Sequence, residues 1–401
     1  MRIALRQLQD TGHGWLLLLG GCALVVAGGL AAAAYMEHYG HIVTGMDNQI
    51  VWGLPHVFAV FLIVAASGAL NVASMASVFG KTVYKPLAPL SGLLAMALLI
   101  GGLAVLMLDL GRPDRLIVAM THYNFKSIFA WNVFLYTGFL AIVAAYLWSM
   151  MEHRMNALSG RFGVTAFLWR LALTTGTGSI FGFLVARPSF DSALLAPTFI
   201  ALSLAYGTAL FLLVLVAACG AAQRLIGDAL LARLARLLAI FVAAGLYFVA
   251  VQHLTGLYVA QRVDFERFIL QGGGVHTLLF WLGQVLLGGV LPLALLLAPG
   301  GSASCKRITG AAFAVVLGGL AQMYVTIIGG QAYPLPLFPG KQVTSLFRDG
   351  VINSYAPSLP ELLLGLGGAA LAALIVLLGV RLLAFVPERL DDAALSGVLA
   401  E

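Results

Sequence analysis

The sequence predicts an all-α, polytopic membrane protein, on three observations. Of 401 residues, 61% are hydrophobic and 9% charged, against roughly a quarter charged in soluble domains. Apolar stretches of about 20 residues, the length that crosses the hydrocarbon layer, fill most of the chain. They are rich in Leu, Ala and Gly without a ten-residue alternation, so they read as helices rather than barrel strands. This composition excludes a water-soluble globular enzyme.

Ten spans are expected: 15–36, 52–79, 87–110, 127–150, 164–186, 194–219, 232–259, 275–298, 308–329 and 360–386. The first starts at Trp15, lacks a small-x-small cleavage signature and runs to Met36, so it is expected to stay as a helix and not as a removed signal. Turn chemistry separates the others, as in Lys81 to Pro86, Gly111-Arg112-Pro113, Arg187-Pro188 and Pro299-Gly300-Gly301. One long connection, Gly330 to Ser358, carries Pro334, Pro336, Pro339 and Pro357, with Pro360 just beyond. It reads either as a folded cap over helix ends or as a partner-binding loop.

With the N-terminus in the cytoplasm, 14 of the 22 Lys and Arg residues fall on the inner side, and both termini are then cytoplasmic. The net charge of +6 is therefore a topology signal, and no nucleic-acid partner is expected. Cys22, Cys219 and Cys305 form no Cys-x-x-Cys spacing, so no iron–sulfur cluster is expected in this chain.

Ionisable groups inside hydrocarbon need a partner, a cavity or a function. Here they gather towards the outer side: His38, His41, His56, His122, His253 and His276 fall there, and only His13 and His153 fall inside. A transmembrane haem relay needs imidazoles at both depths, so none is expected; a single outer haem held by His56 and His253 is the alternative, but a lone histidine near a helix end is more often hydrogen-bonded packing, so no haem is expected in this chain. His56, one turn after Trp52, reads either as an interfacial histidine beside an aromatic belt or as a hydrogen-bonding partner for a quinone carbonyl. Asp109 and Arg112 are three apart, so they can meet on one helical face. Their pairing reads as a neutralised helix end or as a proton acceptor with Arg112 orienting it. Asn132 and Tyr136 share a face and can offer hydrogen bonds to a head group. His253 is a further outer candidate, Glu361 suits the positive start of the last helix, and Asn71, Ser74, Ser77, Thr174, Thr175, Thr177 and Ser179 read as helix-packing contacts.

Trp52-Gly53, Ser67-Gly68-Ala69, Asp109-Leu110-Gly111-Arg112-Pro113 and Ser127 through Asn132 together resemble the NrfD/PsrC family of quinone-interacting membrane subunits. Pro357-Ser358-Leu359-Pro360-Glu361 before a tenth span is similar to its longer branch, which holds the HybB and DsrP subunits. The resemblance implies two four-helix bundles, 52–186 and 194–329, flanked by a peripheral first helix and a last helix, 360–386, with the outer loop 330–359 and a cytoplasmic tail, 387–401. It implies a bacterial inner-membrane subunit that binds menaquinone or ubiquinone near the outer surface. Its partner would be a periplasmic, ferredoxin-like iron–sulfur subunit, and through it a molybdopterin or other redox subunit of anaerobic respiration or sulfur metabolism. Where relatives are expected to carry an Asp after the Trp of the fourth-helix motif, this chain has Asn132, which cannot carry a proton.

The resulting expectation is a membrane anchor, not catalytic alone, that exchanges electrons between the quinone pool and its partner. Its head-group candidates are His56, Asp109, Arg112, Asn132, Tyr136 and His253. Two rivals remain: a secondary transporter, which requires a site halfway through the bilayer, and a purely structural anchor.

Overall fold

The computed structural model describes residues 4–8, 12–298, 304–335 and 350–392. Arg2, Pro299-Gly300-Gly301, Pro336, Pro339, Lys341, Arg348 and the tail from residue 393 lie outside the described residues. The apolar stretches become helices: α1 (His13–Tyr39), α2 (Leu54–Ala69), α3 (Asn71–Ser77), α4 (Ala88–Leu108), the short α5 (Leu116–Thr121), α6 (Ile128–Met151) and α7 (Ser159–Gly182). After these come α8 (Leu195–Ala221), α9 (Asp228–Tyr258) and the short α10 (Val263–Gln271). The next span runs from α11 (Val275–Leu278) through a π-helical stretch, Leu279–Val290, into α12 (Leu291–Leu297). A second π-helical stretch, Val325–Gly329, lies between α13 (Cys305–Tyr324) and α14 (Gly330–Ala332), and α15 (Leu359–Leu382) is last.

Among the described residues, nine helical stretches are long and apolar enough to cross a membrane. The stretch read as a fifth span is α7, a helix of 24 residues. It falls outside the nine because Arg161, Arg170 and a Thr/Gly/Ser-rich run dilute its apolar character. Arg170 also lies away from the inner surface that charge alone assigns to it. Midway along α7 it is 2% exposed, and its guanidinium donates to Asn71 Oδ1 at 3.0 Å and lies over the Phe167 ring.

The last helix ends at Leu382, short of residue 386, because the apolar residues beyond it enter a strand. β2 (Val386–Pro387) pairs antiparallel with β1 (Leu5–Arg6), and Phe385 and Val386 are buried there. Arg224 donates to the Val386 and Pro387 carbonyls, both at 2.9 Å. The second expected span breaks at Leu70 between α2 and α3. Ser91 Oγ serves the freed groups, donating to the Ala69 carbonyl at 2.7 Å and accepting from Ala73 N–H at 3.2 Å. A polar backbone exposed by a break in a membrane helix needs such a partner.

α2, α3, α4, α6 and α7 pack as one group, and α8, α9, the α11–α12 stretch and α13 as another. The groups meet where α2 crosses α8. A Cβ on Gly68 would stand 1.6 Å from the Ser203 carbonyl oxygen, and one on Gly207 would stand 2.0 Å from Ala69 N. The similar Ser67-Gly68-Ala69-Leu70 and Gly207-Thr208-Ala209-Leu210 segments thus touch. Small residues allow this backbone approach, which is how apolar helices associate when lipid removes the hydrophobic drive between them. α1 and α15 pack on each other and, through α15, on α2 and α4. A cavity of about 750 Å³ between these flanking helices and the two groups is lined by apolar side chains, among them Trp15, Phe58, Phe61, Leu98 and Leu213.

Candidate functional site

At the end of the molecule where α2 begins and α4 stops, termed here the upper end, the approach to α2 is fixed before the helix starts. Gln331 of α14, 1% exposed, accepts from Val51 N–H and Trp52 N–H at 3.0 Å each and donates to the Trp52 carbonyl at 3.0 Å. Gln49 donates to the Ala332 carbonyl at 2.9 Å, and Arg187 to the Gln49 carbonyl at 2.8 Å. Tyr355 accepts from Leu54 N–H at 2.7 Å and donates to Glu361 at 2.5 Å. Glu361, fully buried, closes a capping box with Ser358 at the start of α15 and accepts from Gly45 N–H at 2.8 Å. Gly53 leaves space for this carboxylate, since a Cβ there would stand 2.3 Å from Glu361 Oε1. These contacts make residues 44–54 a strap tied to both helix groups. Gln331→Leu would leave three backbone groups of that segment unpaired, at about 1–3 kcal/mol for each one buried. Thermal unfolding of the purified chain is expected to show a loss of about 3 kcal/mol or more.

The strap delivers Trp52 and His56 to one place. Pro55, in the first turn of α2, suits a helix start because its missing N–H is not needed there. Trp52 then stacks on His56 one turn later, with ring centroids 6.0 Å apart, and meets Phe129 of α6 and Phe181 of α7 edge-on. Asp109 caps the end of α4 with a side chain that is 0% exposed. Its carboxylate lies 2.8 Å from His56 Nδ1 and 3.7 Å from His41 Nε2. His41 also hydrogen-bonds the Asp109 carbonyl at 3.1 Å. The 2.8 Å approach is an ion-pair distance without hydrogen-bond alignment, so His56 Nδ1 and both Asp109 carboxylate oxygens are buried polar atoms with no directional partner.

Asn132 and Tyr136 lie on the same side, against α7. Asn132 Nδ2 donates to the Ile128 and Gly176 carbonyls at 2.9 and 3.1 Å, and its Oδ1 is buried without a partner. Tyr136 and Thr177 hydroxyls are 3.4 Å apart. Phe129, one turn before Asn132, and Phe181, one turn after Thr177, connect this pair to Trp52 and His56.

Two expected residues stand elsewhere. Arg112 does not orient Asp109: its side chain is 65% exposed and pairs with Asp114 at 3.3 Å. Three-residue spacing works only inside a helix, and α4 has stopped by then. Gly111, at φ +68°, turns the chain away, a conformation that favours glycine, and a Cβ there would also press on His41 at 3.1 Å. His253 does not adjoin His56: α9, which carries it, packs on α8, α10 and α12, and its ring pairs with Glu266 at 2.6 Å. Sequence reasoning misses the role of His41, because a histidine between two spans carries no local signal of a partner 68 residues away.

The negative charge of Asp109, with no exposed side-chain surface, is faced by the two imidazoles of His56 and His41. The hydrogen bond to Asp109 holds the His41 imidazole above its ordinary value against the opposing cost of burial. The raised His41 imidazole contributes stability fully below about pH 6.5, and that contribution is lost as pH rises through its folded value. Melting temperature is expected to fall on raising pH above about 6.5, and His41→Gln to remove that part of the slope. An unchanged slope in the variant would refute the pairing.

Known proteins resemble this chain in sequence. The family model described as polysulphide reductase, NrfD, matches residues 42–334, which include every group of the site so far described except His41 and the last-helix carboxylate Glu361 with its partners Tyr355 and Ser358. The chain is 30% identical to the Hdr-like menaquinol oxidoreductase integral membrane subunit of Archaeoglobus fulgidus, over 92% of this chain and 94% of that one. It is 29% identical to a putative dimethyl sulfoxide reductase membrane subunit of Halobacterium salinarum, over 95% and 93%. To the NrfD protein of Escherichia coli it is 25% identical, over 71% of this chain and 96% of that one. With a buried acid between two imidazoles at the end of apolar helices and a family match across most of its length, this chain is a multi-pass membrane protein of the NrfD family.

Proposed function

We propose that this protein is the quinone-reactive membrane subunit of a multi-subunit oxidoreductase, exchanging electrons between the quinone pool and a periplasmic iron–sulfur partner docked on its upper end. One observation carries the reading: a fully buried carboxylate faces two imidazoles beside Trp52, and its two oxygens and His56 Nδ1 are buried without a directional partner. Those atoms fit a flat ring bearing oxygens at its edge. The name of the Archaeoglobus relative, a menaquinol oxidoreductase subunit, favours the same ligand class.

A quinone bound there supplies the two-electron, two-proton couple. The protein supplies position and proton exchange. Trp52, Phe129 and Phe181 hold an aromatic face and exclude water. His56 is placed to hydrogen-bond a ring oxygen and to take or give its proton, since imidazole exchanges near neutral pH. Asp109 stabilises the imidazolium so formed, and the partly exposed His41 connects the carboxylate with the surface. Asn132 positions and cannot take the proton. In this reading α7 is a tenth span, both termini face the cytoplasm and the upper end faces the exoplasmic side of a cell membrane, as the positive-inside distribution suggests.

Binding of a fluorescent quinol analogue to the purified complex tests the site. His56→Ala is expected to weaken it at least tenfold, the loss of one charge-assisted contact, and unchanged affinity would remove the assignment.

A second reading, ion translocation, is favoured by Arg170, a buried cation midway along α7 that bonds Asn71 and Ser67, with no carboxylate at ion-pair distance among the described residues. Buried charges in membranes commonly mark ion or proton paths. Ion flux in liposomes holding this chain alone, abolished by Arg170→Met, is the result that would favour it.

A further inference from the structure

The second helix group carries a titratable cluster that the site above does not use. α10 is a short amphipathic helix following α9, and its Glu266 points inward, 4% exposed. The carboxylate meets His253 Nδ1 at 2.6 Å. It lies directly on the backbone of α9 at Gly256, where a Cβ would stand 2.0 Å from Glu266 Oε1. A glycine one turn from the histidine thus makes the room that lets the acid reach it.

Aromatic rings surround the pair. Phe280 meets the His253 ring edge-on at 4.8 Å. One turn before Phe280 on the same helical face is His276, 6% exposed, whose Nδ1 is buried and has no partner. Its ring packs between Phe268 at 5.4 Å and Tyr324 at 5.9 Å. The two π-helical stretches begin just beyond His276 and Tyr324. Such wide turns are rare and are found mostly at functional sites.

Depth and order match the first site. Tyr333, packed on Phe265 and Phe268, is two residues from Gln331, which holds Trp52. In the first group the acid follows the second long helix, α4, and an aromatic comes from the start of the next, α6. In the second group the acid follows α9 and the aromatics come from the start of the α11–α12 span. The two groups meet through the matching Gly68 and Gly207 segments.

From the buried Glu266–His253 pair, the unpartnered His276 and their aromatic walls, we infer that the upper end of the second helix group is a second head-group site for a ligand of the quinone and quinol class. Glu266 and His253 exchange a proton with one ring hydroxyl, His276 Nδ1 hydrogen-bonds the other oxygen, and Phe268 and Phe280 flank the ring. The ligand class rests on the proposed function; the residues stand independently.

The test is titration of the purified complex with 2-heptyl-4-hydroxyquinoline N-oxide, a fluorescent quinol analogue. Two sites per chain are expected, with Glu266→Gln removing one and Asp109→Asn the other. A single site, abolished by Asp109→Asn and unmoved by Glu266→Gln, would overturn the inference. Binding removed by Glu266→Gln and unmoved by Asp109→Asn supports it while sinking the first site. An azido-quinone photolabel on the unaltered complex guards against misfolded variants. Label on residues 249–284 supports the second site, and label confined to residues 41–136 overturns it.

Discussion

Asp109→Asn is expected to abolish quinol-dependent electron transfer, by 100-fold or more, while leaving the chain folded. The amide is the same size, so the cap of α4 and the packing around it can persist, but the negative charge facing His56 and His41 is gone. General acid–base participation accounts for about 100- to 10,000-fold in rate, and here the acid's charge supports the imidazole that would exchange the proton. Asp109→Leu is harsher. It leaves His56 and the partly exposed His41 without their buried acid, and breaking a buried charge pair costs about 3–5 kcal/mol. The informative comparison is between turnover and melting temperature: Asn lowers the first far more than the second, and Leu lowers both. Full turnover in Asp109→Asn would place proton exchange elsewhere.

Gly207→Ala is expected to be among the most damaging small substitutions in this protein, although position 207 carries no group of the proposed site. The added methyl would stand 2.0 Å from Ala69 N and 2.1 Å from the Gly68 carbonyl carbon. Both are backbone atoms of a facing helix, so no side chain can turn aside. α2 must move bodily from α8, opening the main joint between the two helix groups. Overpacking of a core ordinarily costs about 1–3 kcal/mol and occasionally more, and a backbone-on-backbone contact belongs at or above that upper bound. The expected outcome is aggregated or degraded protein on size-exclusion chromatography and a lower melting temperature. Gly220→Ala on the same helix, with open space around it, is the control and should behave as the parent does. Equal behaviour of the two variants would show that the crossing is not held closely.

The sequence alone determined most of the helices and their approximate limits, because 20-residue apolar runs have essentially one stable form where no water can satisfy the backbone. It also marked the polar groups that hydrocarbon would not tolerate without cause, His56, Asp109, Asn132 and Tyr136 among them. Only the tertiary structure decided which groups meet. Asp109 turned to His56 and His41 and away from Arg112, because helix geometry stops at Leu108 and Gly111 reverses the chain. His253 found Glu266, since Gly256 opens a path from a helix that local spacing could not place. Gln331 and Glu361 reach the segment that leads into α2 from 279 and 316 positions later in the chain. Spacing reports which face of one helix a residue occupies, whereas a site built between helices depends on crossings fixed by close glycine contacts, and those are set by the packing of the whole chain.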